Sequence, residues 1–267
     1  MRAGVPMAAR SQRVTIPLSD GGIVTLVDGS GPALVILPSY GRDGGADYDD
    51  LTARAVVEGW RVLRPQPRGV LGSVGPMDGT SFRQLAQDVA AVVEALANGP
   101  VVLIGHAFGN LLSRMVTTAY PDLVRAVALV AARSRDAPDR IANAPFIAGD
   151  PNRPEADRLD ALEEAFFAPG NDARAWLDGW YPATLAMQRA AIHTVPQSEY
   201  WSCGSVPLLE VIPDHDAFKP RRYWNEMRDE FGGRISTSIV ADAGHALFPE
   251  QPKAAADAIL SWAGQFR

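Results

Sequence analysis

The fold is decided by residues 101–109, which read Val-Val-Leu-Ile-Gly-His-Ala-Phe-Gly, together with the helical pattern that follows them. The unbroken apolar run predicts a strand that is covered on both faces. Gly105 and Gly109 let the chain turn sharply into the helix because they carry no side chain. Such a turn holds its central residue, here Ala107, in a strained conformation with its side chain above the sheet. Alanine offers neither a nucleophile nor a proton.

Strands and helices alternate on both sides of this segment. The predicted strands are 12–18, 22–28, 33–39, 61–65, 101–105, 124–131, 206–212 and 235–241. The predicted helices are 47–58, 81–97, 108–120, 220–231 and 250–266. Gly21 and Gly22 are expected to join the first two strands as a hairpin, and Ser81 is expected to cap the second helix. The pattern predicts an α/β fold with a mostly parallel sheet of about eight strands, helices on both faces and its antiparallel member in the first pair.

The alternation is interrupted once, at residues 133–205. This stretch is rich in proline, alanine and charged residues, and helical spacing occurs near 155–168, 172–179 and 183–194. We expect it to form a helical cap, inserted into a core made of residues 1–132 and 206–267. Ligands of parallel sheets bind beyond the carboxyl ends of the strands. The aromatic residues of the insertion are therefore candidates for lining a pocket, and Trp176 and Trp180 are the two that we predict to bind substrate.

Composition excludes several classes of protein. The chain has 267 residues and a net charge of −6, so its surface is unsuited to nucleic acid. Cys203, the one cysteine, excludes an internal disulfide and a cysteine-cluster zinc site. Neither a membrane span nor a convincing secretory signal is recognisable. We expect a cytoplasmic protein that acts on a small molecule without a cofactor or metal, and the sequence leaves its oligomeric state open.

The Gly-His-Ala-Phe-Gly turn resembles the nucleophile elbow of the α/β-hydrolase family, in which a serine takes the central place. The resemblance extends from about residue 12 to residue 266 and implies the order nucleophile, acid, histidine. It assigns the nucleophile position to Ala107 and the histidine to His245, which precedes the last helix. The acid is Asp216, which follows the strand 206–212, with Asp214 as the alternative. In this arrangement Asp216 would orient His245 and stabilise its charged form.

The resemblance also implies an oxyanion hole made of two backbone N–H groups. One belongs to Phe108, the residue after the elbow. The other comes from the loop after the strand 33–39, where the family usually has His-Gly followed by a bulky residue. This sequence has Pro-Ser-Tyr-Gly at residues 38–41 instead, and Tyr40 matches the donor by position.

Ala107 leaves the chemistry open at this stage. The alanine is either native or a replacement of a natural serine, and the pattern does not separate the two. We expect a hydrolase for a small, largely apolar ester or lactone. One alternative is that His245 and Asp216 act as a general base without covalent catalysis. The other is a non-catalytic binder of small apolar molecules.

Overall fold

The computed structural model describes residues 11–135 and 138–267. Within these ranges the chain forms one sheet of eight strands with helices on both faces, as the sequence predicts. The strands are β1 (Gln12–Leu18), β2 (Gly21–Gly29), β3 (Ala33–Leu37), β4 (Arg61–Pro65), β5 (Val101–His106), β6 (Val124–Val130), β7 (Leu208–Pro213) and β8 (Ile235–Val240).

Ten α-helices are described in the same ranges: α1 (Asp49–Val57), α2 (Phe82–Leu96), α3 (Phe108–Ala119), α4 (Asp139–Ala148), α5 (Glu155–Ala165), α6 (Pro182–Ile192), α7 (Gln197–Tyr200), α8 (Glu226–Phe231), α9 (Leu247–Glu250) and α10 (Pro252–Ala263). Short 3-10 turns occupy Ala46–Tyr48, Pro121–Leu123, Ala173–Trp176, Arg221–Tyr223, Gly232–Arg234 and Gly264–Phe266. Ser81 caps α2 as predicted: its hydroxyl accepts the N–H of Gln84, whose side chain accepts the N–H of Ser81 in return.

The strand order in the sheet is β1-β2-β4-β3-β5-β6-β7-β8. Strand β2 runs antiparallel to both of its neighbours, and all pairs from β4 to β8 are parallel. The pairing of Leu37 with Gly105 and of His106 with Val130 brings the ends of β3, β5 and β6 to one edge. That edge carries the elbow turn.

Several boundaries differ from the prediction for local physical reasons. The hairpin turn is Ser19-Asp20 rather than Gly21-Gly22, because Gly21 already pairs with Leu18. The segment 172–179 forms only a short 3-10 turn, and only the second half of 220–231 is α-helical. The predicted last helix, 250–266, breaks before Pro252, which begins α10 because proline fits the first helical position.

The described residues between β6 and β7 form helices and turns and no strand. Helix α4 was not predicted, because Pro145 inside it reads as a helix breaker. Four aromatic residues of this insertion, Phe166, Phe167, Trp176 and Trp180, pack against Phe218 and Ala246 of the core in one cluster. The insertion is therefore docked on the edge of the sheet where the elbow lies.

Candidate active site

Ala107 sits between β5 and α3 with φ +51° and ψ −107°, a conformation that L-residues rarely adopt. Both flanking glycines are required by the space around them. A Cβ on Gly105 would lie 2.3 Å from the carbonyl oxygen of Gly109, and a Cβ on Gly109 would lie 2.0 Å from that of Leu37. The turn is fixed further by the Ala107 N–H, which donates to the carbonyl of Val130 over 3.0 Å. The strained turn expected from the sequence is therefore present, with a methyl group at its tip.

His245 and Asp216 lie in direct contact at the same edge of the sheet. Nδ1 of His245 is 3.0 and 3.1 Å from the two carboxylate oxygens of Asp216, and both side chains are buried. Because a carboxylate only accepts, Nδ1 carries a proton, and in the neutral form of the imidazole Nε2 presents a lone pair. The N–H of Phe218 donates to Asp216 over 2.8 Å, and the Phe218 ring stacks on the imidazole at 4.0 Å. This pairing holds the imidazole in one orientation.

Asp214, the alternative acid, does not take this place. Its carboxylate accepts the N–H of Ala243 over 3.3 Å and lies 3.9 Å from His215. The two aspartates therefore differ in what they touch, and the imidazole of His245 contacts Asp216.

Tyr40 and Phe108 face a common cavity with Ala107 and His245. No hydrogen bond within the described ranges uses the backbone N–H of either Tyr40 or Phe108. Phe108 is the first residue of α3, where N–H groups have no partner in the helix and the helix dipole favours negative charge. The backbone N–H groups of Tyr40 and Phe108 are thus without a partner among the described residues, and the oxyanion hole stays a prediction.

The cavity has a volume of about 250 Å³. The core contributes residues of the elbow, the loop after β3, Phe218 and His245, while the insertion contributes residues of α4 and α6 together with Arg133 and Phe166. Trp176 and Trp180, the two residues predicted to bind substrate, are not among the residues that line this cavity. Trp176 is fully buried against Phe166 and Trp180, because the hydrophobic cluster that docks the insertion takes up both indoles.

A buried chain of hydrogen bonds connects three loops of the site. Tyr48 accepts the N–H of Ser39 over 3.3 Å, and its hydroxyl lies 3.0 Å from Nδ1 of His106. Nε2 of His106 lies 2.8 Å from the backbone carbonyl of His245. Burial, and then the nearby charge of His245, lower the pKa of His106 to about 3. His106 is therefore neutral: Nε2–H donates to the carbonyl of His245, and Nδ1 accepts from the Tyr48 hydroxyl.

Glu250 holds the loop of His245 against the insertion. Its carboxylate accepts the N–H of Gly244 over 2.7 Å, the N–H of Ala168 over 2.6 Å and the side-chain amide of Asn171 over 2.7 Å. Burial raises its pKa. Neither Glu250 nor Tyr48 was singled out in the sequence, since their partners lie far away along the chain and no local pattern marks them.

The part of the chain that the structure describes holds neither a metal-binding cluster nor a membrane-spanning helix. No group of three or more His, Cys, Asp or Glu side chains is arranged to hold a metal ion there. No helix in those ranges is long and apolar enough to cross a membrane.

A parallel sheet with a strained elbow after β5 and a His–Asp pair beyond the later strands is the arrangement of an α/β hydrolase. The sequence model of the alpha/beta hydrolase fold matches residues 32–226, and the chain belongs to this family. By that membership, and by its hydrolase-type relatives in sequence, it is an enzyme of the hydrolase type.

Three comparisons illustrate the kinship. A pyrrolizixenacetamide deacetylase from Xenorhabdus hominickii is 29% identical over 125 residues, which is 45% of this chain and 46% of that protein, so the match spans about half of the relative. A pyrethroid hydrolase from Sphingobium wenxiniae is 24% identical over 246 residues, 86% of this chain and 87% of that protein. The structure of a thermophilic esterase from Thermogutta terrifontis superposes with a TM-score of 0.77 at 20% identity and covers 96% of this chain and 99% of that one.

Proposed function

We propose that the protein hydrolyses a small, largely apolar ester or lactone, with His245 as a general base that activates water directly. The observation that carries the proposal is the pairing of His245 Nδ1 with the Asp216 carboxylate at 3.0 Å in the cavity that Ala107 lines. Nε2 makes no hydrogen bond within the described residues, so it is available to take a proton.

The reaction follows from these groups. The substrate carbonyl oxygen accepts the N–H groups of Tyr40 and Phe108, which stabilise the negative charge that develops there. Water adds to the carbonyl carbon while Nε2 of His245 takes its proton, and Asp216 stabilises the imidazolium. The tetrahedral intermediate then collapses, and Nε2 returns the proton to the leaving alkoxide oxygen. An ester yields an acid and an alcohol, and a lactone yields one hydroxy acid.

Ala107 supports a direct attack by water in preference to a covalent route. A serine at this position would supply the nucleophile for an acyl-enzyme, whereas a methyl group cannot. The methyl group is also smaller than a hydroxymethyl side chain, which leaves room beside it for the attacking water. If a serine is native at position 107, the same cavity and the same His–Asp pair would instead serve the covalent reaction.

The helical insertion, residues 133–205, is proposed to act as the cap over this site. Its α4 and α6 contribute walls of the cavity, and Glu250 joins it to the loop of His245. A cavity of about 250 Å³ suits a small substrate. The relatives named as a deacetylase and a pyrethroid hydrolase support hydrolysis at a carbonyl group.

The test compares the unaltered protein, His245→Gln and Ala107→Ser on para-nitrophenyl butyrate, with His215→Gln as the control. His215 is half-exposed and outside the cavity. General-base catalysis contributes about 10²–10⁴-fold, so we expect His245→Gln to lose that factor while the control keeps full turnover. The unaltered protein should show no burst of nitrophenol, and Ala107→Ser should show one.

Three outcomes would count against the proposal. Equal rates for the unaltered protein and His245→Gln would exclude the general base. Activity that appears only in Ala107→Ser would instead identify a serine hydrolase scaffold whose nucleophile is missing. If no variant turns over substrate while apolar ligands still bind, the protein is a binder of small molecules.

A further inference from the structure

Two arginines line the cavity, and the proposed reaction uses neither. Arg133 lies just beyond the end of β6, and Arg189 lies on α6. Nε of Arg133 approaches the carbonyl of Ser134 at 3.4 Å, and its two terminal nitrogens have no partner among the described residues. Arg189 donates to the side chain of Asn143 over 3.0 Å and stacks on the ring of Phe146 at 4.3 Å. Arg133 therefore offers an open pair of donors, and Arg189 is held in place beside it on the cavity wall.

These arginines also lack the carboxylates that accompany other arginines of this fold. Arg68 is paired with Asp20 and Asp88, and Arg64 is paired with Asp28 and Asp49. By contrast, no carboxylate of the described ranges lies within 4.0 Å of Arg133 or Arg189. One carboxylate, the exposed Asp139, lines the same cavity without pairing with either arginine. Among the described residues, the positive charge of these two arginines is therefore not neutralised by a paired carboxylate.

Tyr40 connects this charge with the reacting centre. Tyr40, Arg133 and Arg189 line the same cavity. Burial raises the pKa of the Tyr40 hydroxyl, and the positive charges of Arg133 and Arg189 oppose that rise. The backbone N–H of the same residue is one of the two donors proposed for the carbonyl oxygen. The charged region and the reacting centre are thus adjacent parts of one cavity.

We propose that the substrate carries a carboxylate, which Arg133 binds through its two terminal nitrogens with additional attraction from Arg189. A guanidinium group presents two parallel donors that match the two oxygens of a carboxylate. Phe146 and Phe166 line the same cavity and contact the apolar body that connects the carboxylate with the ester or lactone. This assignment rests on the proposed function for the reacting group, but binding of the anion does not require turnover.

The test measures binding of two ligands of nearly equal size and shape: the anion γ-phenylbutyrate and its uncharged amide, γ-phenylbutyramide, in which an NH2 group replaces one carboxylate oxygen. Calorimetry gives the dissociation constants for the unaltered protein, Arg133→Met and Arg140→Met. Methionine keeps an unbranched apolar stem and removes the charge. Arg140→Met is the matched control, because it loses the same charge from a residue that is exposed and outside the cavity.

We expect the unaltered protein and Arg140→Met to bind the carboxylate about 10- to 100-fold more tightly than the amide, as for a charge-assisted hydrogen bond. Arg133→Met should lose that preference and keep its affinity for the amide. Should Arg133→Met fail to fold, the exposed Arg189→Met is expected to reduce the preference in part. Added salt should weaken only the binding of the carboxylate.

The proposal is overturned if the unaltered protein binds both ligands equally or binds neither, or if Arg133→Met keeps the full preference. These results are independent of catalysis. If the protein hydrolyses neutral esters but shows no preference for the anion, only the proposal of a carboxylate site is wrong. If the protein prefers the anion but hydrolyses no ester, the proposed reaction is wrong and the proposal of a carboxylate site stands.

Discussion

Replacing His106 by glutamine should remove a pH dependence from the stability of the protein. The pKa of His106 is lowered from 6.5 to about 3 in the folded chain. The unfolded chain therefore binds a proton between these values that the folded chain does not bind. The contribution of neutral His106 to the unfolding free energy is fully present above pH 6.5 and is lost as the pH falls toward 3.

The magnitude follows from the two pKa values. Each full pH unit below 6.5 costs at most about 1.4 kcal/mol of unfolding free energy. The loss from His106 should reach about 1.4 kcal/mol at pH 5.5 and about 2.7 kcal/mol at pH 4.5. His106→Gln should be less stable than the unaltered protein at pH 7.5, by about 1–3 kcal/mol, because the glutamine amide does not reproduce the positions of the two ring nitrogens that bond Tyr48 and the carbonyl of His245.

Urea unfolding at pH 7.5, 6.5, 5.5 and 4.5 measures both effects. The unfolding free energy of the unaltered protein minus that of His106→Gln should decrease by the amounts above as the pH falls. His215→Gln is the control for the loss of a histidine, because His215 is half-exposed and lies outside the hydrogen bonds of His106. A difference that stays constant from pH 7.5 to pH 5.5 would refute the reasoning, since His106 would then not be held neutral.

Two further changes test the site and the turn. Asp216→Asn removes the charge that stabilises the imidazolium of His245, so turnover of para-nitrophenyl butyrate should fall by about 10²–10⁴-fold while the far-UV circular dichroism is unchanged; unchanged turnover would contradict the role of the pair. Gly109→Ala forces a Cβ to within 2.0 Å of the Leu37 carbonyl and should cost about 1–3 kcal/mol in thermal unfolding. Gly233→Ala is its control, because a Cβ there meets nothing within 4 Å, and equal losses in both variants would contradict the steric argument.

The sheet could be predicted because its signals are local. Strands that are buried on both faces, such as Val101–His106, read as short continuous apolar runs, and helices such as α2 carry both a cap and an amphipathic face. The order of the elements along the chain then predicted where the site residues lie. Because the carboxyl ends of parallel strands meet at one edge, Asp216 after β7 and His245 after β8 could be expected near the elbow.

The rest of the site depends on contacts between distant segments. The bonds of His106 join residues 58 and 139 positions away in the chain, and no local pattern encodes such pairs. The insertion was harder to predict for the same reason. The sequence identifies aromatic residues but not which of them dock the insertion. Trp176 and Trp180 pack against each other in the docking cluster, whereas α4, which was not predicted because it contains Pro145, forms a wall of the cavity.

The two proposals make separable demands on the cavity. An interaction with Arg133 is the same before and during the reaction, so it stabilises the bound substrate and the transition state alike and acts on KM. His245 acts only when a proton moves, so its loss acts on kcat. A protein that only binds its ligand would need the first kind of contact and not the second.

The site also has features that binding alone does not need. Asp216 holds the imidazole of His245 through Nδ1, and Nε2 has no partner among the described residues. The backbone of Ala107 keeps the strained conformation of an elbow. Holding a non-glycine residue in such a conformation costs about 1–3 kcal/mol, which a cavity for binding alone does not require. The combination favours chemistry over binding as the purpose of the site.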